Sequence, residues 1–306
     1  MPNDVEIPKF VFTGCSSIKS VQISESVESI GSFAFYNCAS LQNINIPQNL
    51  KLLDYNAFCN CTALSTITLP ENIQTVRTGA LIGCTNLTAI FSPKSSEDNR
   101  CLVINGNLEA FAPYGLTNYT IPDNVITIGY GAFIGCTSLT SVIIPNSVTS
   151  IGSEAFSKCT SLESVTIGNS VTSIGYYAFQ DCSSLLSLEF PNGLTTLNSD
   201  LCNNCTSLIS ITIPESVTDI SYRVFSNCSS LNKIICYPEN APNLTSTSFS
   251  GISSGTLYIP FGANYSSWES RLSHWTVISW YEPQTYYDLS ITAQDVIGNY
   301  TTTTIS

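Results

Sequence analysis

Cysteine recurs along this chain at a fixed interval, and that interval restricts the fold more than any other feature. Cys15, Cys38, Cys61 and Cys84 are 23 residues apart, as are Cys136, Cys159, Cys182, Cys205 and Cys228. The gap from Cys84 to Cys136 is 52 residues, one repeat plus a 29-residue stretch, so a single register runs through the chain with one interruption. The copy Pro145 to Ile167 holds apolar residues at Val148, Ile151, Ala155, Phe156, Cys159, Leu162, Val165 and Ile167, with Gly152 between them. One unit cannot close a core around so few side chains. Stacked copies can, because each covers the open side of the next.

Spacing predicts the local structure of a unit. Leu162, Val165 and Ile167 end in period-2 alternation with β-branched residues, so this segment reads as a main strand. Val148 to Ile151 reads as a shorter extended piece on the opposite side, with Gly152 supplying a turn. Ala155, Phe156 and Cys159 are three to four apart, the spacing that one helical turn places on one face. Proline at 47, 70, 122, 145, 191 and 214 ends the main strand. Each unit is then one coil of a solenoid, with like strands about 4.8 Å apart in a parallel sheet.

The recurring cysteine fits such a coil as a small, buried, reduced side chain beside Phe. Equivalent residues of adjacent coils have parallel Cα–Cβ bonds, whereas a disulfide brings its Cβ atoms together. A straight column does not converge on a zinc ion. A nucleophile needs a base, and the one histidine, His274, lies outside the array. Cys59, Cys101, Cys202 and Cys236 are off the column. The pairs Cys59–Cys61 and Cys202–Cys205 have redox-like spacing, but Cys202 stands at the repeat's Phe position and reads as a core substitution.

Composition excludes several functions. Ten Lys plus Arg against 22 Asp plus Glu leave a net charge of −12 over 306 residues. A chain so acidic, without a basic stripe, is a poor ligand for phosphates or anionic lipid, so no nucleic-acid partner is expected. No apolar run approaches the roughly 20 residues of a spanning helix, so no direct membrane insertion is expected. Met1 to Phe10 lacks the basic start and apolar stretch of an export signal. The chain is therefore cytosolic, or exported with its signal removed. Charged residues are only 10%, which suits the second reading.

The strand Leu139 to Pro145 resembles the core of a leucine-rich repeat, and the run "IPNSVTSIGSEAFSKCTSLESVTI" resembles the BspA-type leucine-rich repeat, over about residues 5 to 278. The resemblance implies an α/β solenoid: a right-handed leucine-rich-repeat superhelix with a parallel sheet on one face, short helical turns and a C-terminal cap. It also implies an extracellular or cell-surface location and a role in adhesion or ligand binding, and it does not imply a reaction. The solenoid is expected over residues 1–236 and the cap over 237–280, where Tyr265, Trp268 and Leu272 share a face. Residues 281–306 read as a linker or the start of a further domain. The longer unit at 92–120 holds two alternating apolar runs around Asn105-Gly106, a hairpin signal that should project or widen one coil.

Nothing in the sequence assembles a catalytic set, and no phosphate-binding glycine loop occurs. Glu163 and Glu189, on neighbouring strands, are the nearest approach to a carboxylate pair. No cofactor or metal is expected. Binding is the better reading, on the outward positions of the main strands. One outward column runs Gln22, Asn45, Thr68, Phe91, Ile143, Thr166, Glu189, Thr212, Ile235, and another runs Lys19, Gln42, Ser65, Thr88, Thr140, Glu163, Leu186, Ile209, Asn232. Phe91, Ile143, Leu186, Ile209 and Ile235 are apolar where solvent is expected, with Glu163, Thr166 and Glu189 beside them, and these eight form the candidate partner surface. The expected protein is a monomer, not an enzyme, that binds a protein or glycan partner there. The alternative is a spacer that holds other domains away from a surface. Sequons at Asn60, Asn204 and Asn227 arise from the repeat itself.

Overall fold

A computed structural model describes residues 5–269, 271–280, 289–294 and 300–305. The repeat winds into a solenoid with a sheet on each side. On one side two-residue strands pair in parallel, one coil to the next. Ser150–Ile151 sits between Thr127–Ile128 and Ser173–Ile174, and each residue faces its equivalent 23 positions away. On the other side run the main strands, such as Ser141–Ile144 beside Ser164–Ile167 and Ser187–Glu189 beside Ser210–Ile213. In these coils the 23-residue register is kept, because a one-residue shift would turn every core side chain outward.

The helical turn expected at Ala155, Phe156 and Cys159 does not form, and the coil is an all-β solenoid. Glu154 and Lys158 have φ of 56° and 61°, left-handed values that interrupt any helix. The backbone alternates instead. Ala155, Ser157 and Cys159 donate to residues three back in their own coil, Gly152, Glu154 and Phe156. Glu154, Phe156 and Lys158 donate across to Tyr176, Ala178 and Gln180 of the next coil, at 2.8–2.9 Å. Ala155, Phe156 and Cys159 still point inward together, fully buried. A turn–extended–turn path thus groups the same side chains that a helix would. Among the described residues the helical element is a single 3₁₀ turn, Ser266–Trp268.

Asn, Asp and Gly occupy the second left-handed position in most coils: Asn37, Asn60, Gly83, Gly135, Asp181, Asn204, Asn227 and Gly251. These residue types enter that region at least cost. Gly152 serves a different need from the turn expected of it. Its φ is not left-handed, but a Cβ there would lie 2.8 Å from the carbonyl carbon of Gly129 and 2.9 Å from the oxygen of Ile128. Close approach of coils, rather than backbone reversal, requires glycine at this point.

Stacked phenylalanines fill the interior. Rings of Phe133, Phe156 and Phe179 follow one another at 4.8 and 5.3 Å, nearly parallel. Cys202 takes the next place, and there Phe190 occupies the main-strand position that Ile144, Ile167 and Ile213 hold in other coils. Its ring is buried and lies 6.4 Å from Phe225, the next member of the stack. A large residue from the strand thus offsets a small one from the turn.

Asn105 (φ 52°) and Gly106 (φ 80°) join antiparallel strands Cys101–Ile104 and Asn107–Phe111. This hairpin neither projects nor merely widens a coil. It is inserted within the stack and buried on both faces. Leu102, Ile104, Ala110 and Ala112 pack into the core that holds Phe35 and Phe58, while Cys101, Val103, Leu108 and Phe111 pack into the core that holds Phe133 to Phe225. The hairpin separates two apolar cores. At the far end Tyr265, Trp268, Leu272 and Trp275 cover the last coil, with the Trp268 indole N–H donating to the Pro242 carbonyl at 2.9 Å. Leu289–Gln294 and Tyr300–Ile305 form an antiparallel pair beyond it.

Candidate functional site

The main-strand face carries the candidate residues on two parallel columns. Leu186 donates its N–H to the carbonyl of Glu163 at 3.1 Å, and Ile209 donates to Leu186 at 2.9 Å, so these three stand on consecutive coils. Leu186 is 46% exposed and Ile209 47%. Three residues along each strand, Glu189 faces Thr212 and Thr212 faces Ile235. Glu163 and Glu189 are exposed, as is Thr166, while Thr212 and Ile235 are half-buried. The two carboxylates are offset by a coil and three positions along the strand, because Glu163 lies beside Leu186 and not beside Glu189. A shallow groove opens next to this lattice, lined by Glu189, Asn192, Thr212, Glu215, Ile235 and Tyr237.

The structure leaves two candidates apart from this group. Ile143 is exposed and pairs with Thr120 and Thr166, so Thr166, Glu189 and Thr212 separate it from Ile235. Phe91 is exposed on the two-stranded piece Thr66–Thr68 and Ala89–Phe91, before the hairpin, and shares no sheet with the others. Tyr237 was not among the sequence candidates. It holds the place that Pro145, Pro191 and Pro214 hold in other coils. Having an N–H, it donates to the Ile213 carbonyl at 3.0 Å and extends the strand edge by an exposed ring. The missing proline was the available signal.

The thiols face the dry interior. All thirteen cysteines are free, and all but Cys15 are buried. Seven of the nine column thiols, those of Cys38, Cys61, Cys84, Cys159, Cys182, Cys205 and Cys228, donate to a carbonyl that sequence spacing does not reveal. Cys159 Sγ donates to the Phe133 carbonyl at 3.0 Å, Cys182 to Phe156 at 3.1 Å and Cys205 to Phe179 at 3.1 Å. Cys228 donates to Cys202, which confirms Cys202 as the stand-in for Phe in that coil. Burial pushes the thiols of Cys61, Cys182, Cys205 and Cys228 up, Cys59 to about 11 and Cys84 to about 12. Such groups are protonated at neutral pH and are weak nucleophiles and weak metal ligands. His274 is exposed beside the buried Trp275.

The sequon asparagines belong to a ladder on the turn edge. Asn60 Nδ2 donates to Asn37, Asn204 to Asp181 and Asn227 to Asn204, at 2.8–2.9 Å. No helix among the described residues is long and apolar enough to cross a membrane.

Comparison with known proteins is consistent with this architecture. The family model of the BspA type leucine rich repeat region matches six copies, over residues 2–100, 107–232 and 199–270. A leucine rich cell surface protein from Faecalibacterium prausnitzii is similar in structure, with TM-score 0.65 and 30% identity over 74% of this chain and 62% of that protein. This chain therefore spans less than two thirds of that relative. A leucine-rich repeat protein from Eubacterium ventriosum (TM-score 0.62, 19% identity, covering 92% of this chain and 83% of that one) shares the fold. So does the pneumococcal vaccine antigen PcpA (TM-score 0.69, 18% identity, 86% and 68%). No curated protein sequence matches.

Proposed function

Since this chain belongs to the BspA-type leucine-rich repeat family, we propose that it is a non-enzymatic protein of the bacterial cell surface or its surroundings that holds a protein or glycan partner against its main-strand face. The observation that carries the reading is the pair Leu186 and Ile209, hydrogen-bonded neighbours that expose nearly half of each side chain to solvent. Glu163 precedes the pair on the same column, and Glu189 stands on the adjacent one, next to the groove that Tyr237 lines. An apolar centre with a polar rim, on a rigid sheet, is the arrangement of a small protein–protein interface. The name of the Faecalibacterium relative supports the location.

The test is adhesion of the whole chain to epithelial cells and to immobilised matrix proteins, fibronectin, laminin and collagen. The double substitution Leu186→Asp with Ile209→Asp is expected to abolish adhesion and to leave the melting temperature within a few degrees. Equal adhesion by both proteins would reject the face as the binding site. It would favour a spacer, a reading that the strand pair Leu289–Gln294 and Tyr300–Ile305 beyond the solenoid also supports.

A further inference from the structure

A second surface follows a period of its own. On the turn edge, one position per coil runs Tyr130, Ser153, Tyr176, Ser199, Tyr222. The three tyrosines are 46 residues apart, two coils each time. Their places in one column are fixed by backbone bonds. Gly131 donates to the Ser153 carbonyl, Glu154 to Tyr176, Tyr177 to Ser199 and Asp200 to Tyr222, at 2.9–3.2 Å. Tyr130, Tyr176 and Tyr222 are 41%, 53% and 47% exposed, whereas the serines between them are half-buried. The edge is therefore notched, with a ring on every second coil.

The core gives the pitch of these notches. The rings of Phe133, Phe156 and Phe179, one per coil beneath the same stretch, are 4.8 and 5.3 Å apart. Two coils then advance about 10 Å, as expected for a parallel strand stack. The charges at the ridge are already engaged. The Tyr130 hydroxyl donates to the Glu154 carboxylate, and Arg223, whose guanidinium lies 4.7 Å over the Tyr222 ring, pairs with Asp200 at 2.8 Å. The ridge carries a half-exposed aromatic ring on every second coil, with Arg223 on one face of Tyr222, and no unpaired charge among these residues.

We propose that the ridge Tyr130, Tyr176 and Tyr222 binds an extended β-1,4-linked polysaccharide, with one tyrosine against every second sugar. In such a chain each pyranose is turned over relative to the last, so the same C–H face recurs every two sugars, over a length close to two coils of this solenoid. The C–H face of a pyranose carries positive partial charge and packs on the negative face of an aromatic ring. The intervening sugar turns its other face and lies above a serine, where no ring obstructs it. The net charge of −12 disfavours a nucleic acid. This surface lies on the turn edge, apart from the main-strand face, so it stands or falls independently of the pair Leu186 and Ile209.

The test is isothermal titration of the full chain with cellohexaose and chitohexaose, and with maltohexaose as the α-linked control. Saturable binding of a β-1,4 hexasaccharide, without binding of maltohexaose, is expected. Tyr176→Ala should weaken it about tenfold, the scale of one aromatic contact, and Tyr176→Phe should retain it. The deciding variant combines Tyr176→Ser with Ser199→Tyr. It keeps the number of rings and moves one by a single coil, and it should bind as poorly as Tyr176→Ala while melting like the parent. Overturning results are binding of neither β-linked hexasaccharide, equal binding of maltohexaose, or undiminished binding by the shifted variant.

Discussion

The Sγ of Cys159 donates to the backbone carbonyl of Phe133, 3.0 Å away and 26 residues earlier in the chain. That carbonyl also accepts the N–H of Cys136 at 3.1 Å, inside its own coil. The thiol is thus the second donor to a buried oxygen, and it ties one coil to the next. Small size alone does not explain the column, because alanine fills a similar place without a donor. Cys159→Ala should destabilise by about 1–3 kcal/mol through the lost bond and the cavity left behind. Cys159→Val restores the volume without the donor and should fall between alanine and the parent. Urea unfolding of the three proteins measures both contributions.

The buried thiols also fix a pH dependence. Burial raises the pKa of Cys59 to about 11 and that of Cys84 to about 12, from an ordinary value of 9.0. Above pH 9 the unfolded chain loses thiol protons that the folded chain keeps, so stability falls as pH rises. The contribution is complete below pH 9 and disappears through the 11–12 range. The melting temperature should therefore be flat from pH 7 to about 8.5 and drop steeply from pH 9 to 11. A thiol reagent should titrate these groups only after unfolding.

Phe190 and Cys202 should behave as a coupled pair. Cys202→Phe alone forces a second ring into space that Phe190 already uses, and should cost about 1–3 kcal/mol. Phe190→Ile alone leaves a cavity of comparable cost. The double substitution recreates the pattern of neighbouring coils, with Phe at the turn and Ile on the strand. It should be more stable than either single variant, giving a coupling energy of about 1 kcal/mol or more in a double-mutant cycle.

The hairpin between the two cores makes Gly106 sensitive. Its φ is 80°, and a Cβ would lie 2.9 Å from Cγ1 of Ile126. Gly106→Val should destabilise by more than about 2 kcal/mol, since a β-branched residue resists left-handed backbone. The loss should not be uniform. Native-state hydrogen exchange should show weakened protection spreading from residues 101–128, with amides around Phe35 and Phe58 less affected than those around Phe133.

Much of this architecture was legible in the period. Recurrence alone places Val148, Ile151, Ala155, Phe156, Cys159 and Leu162 in the core, and all are buried. Val165 and Ile167 are only partly buried, and the main-strand sheet is interrupted beside them, between Ser164–Ile167 and Ser187–Glu189. The turn backbone was not legible, since a spacing of three to four is common to a helix and to a turn–extended–turn path. The thiol acceptors were hidden because they belong to another coil. At the candidate face, neighbours could be assigned wherever the 23-residue register holds, as for Leu186 and Ile209. Phe91 keeps the register with Thr68, but the 29-residue stretch between it and Ile143 breaks the count, so its adjacency to the other candidates cannot be read from sequence.

The asparagine ladder has a practical corollary for production of the protein. The amide nitrogens of Asn60, Asn204 and Asn227 are among the atoms that a eukaryotic secretory pathway would glycosylate, and in the folded chain each is bonded to the coil before it. A sugar tree added during translocation would sit between coils that must touch. Secretion from yeast or mammalian cells should therefore give misfolded, retained material, which replacement of Thr62, Thr206 and Ser229 should relieve at these three positions, whereas a bacterial host never meets the obstacle.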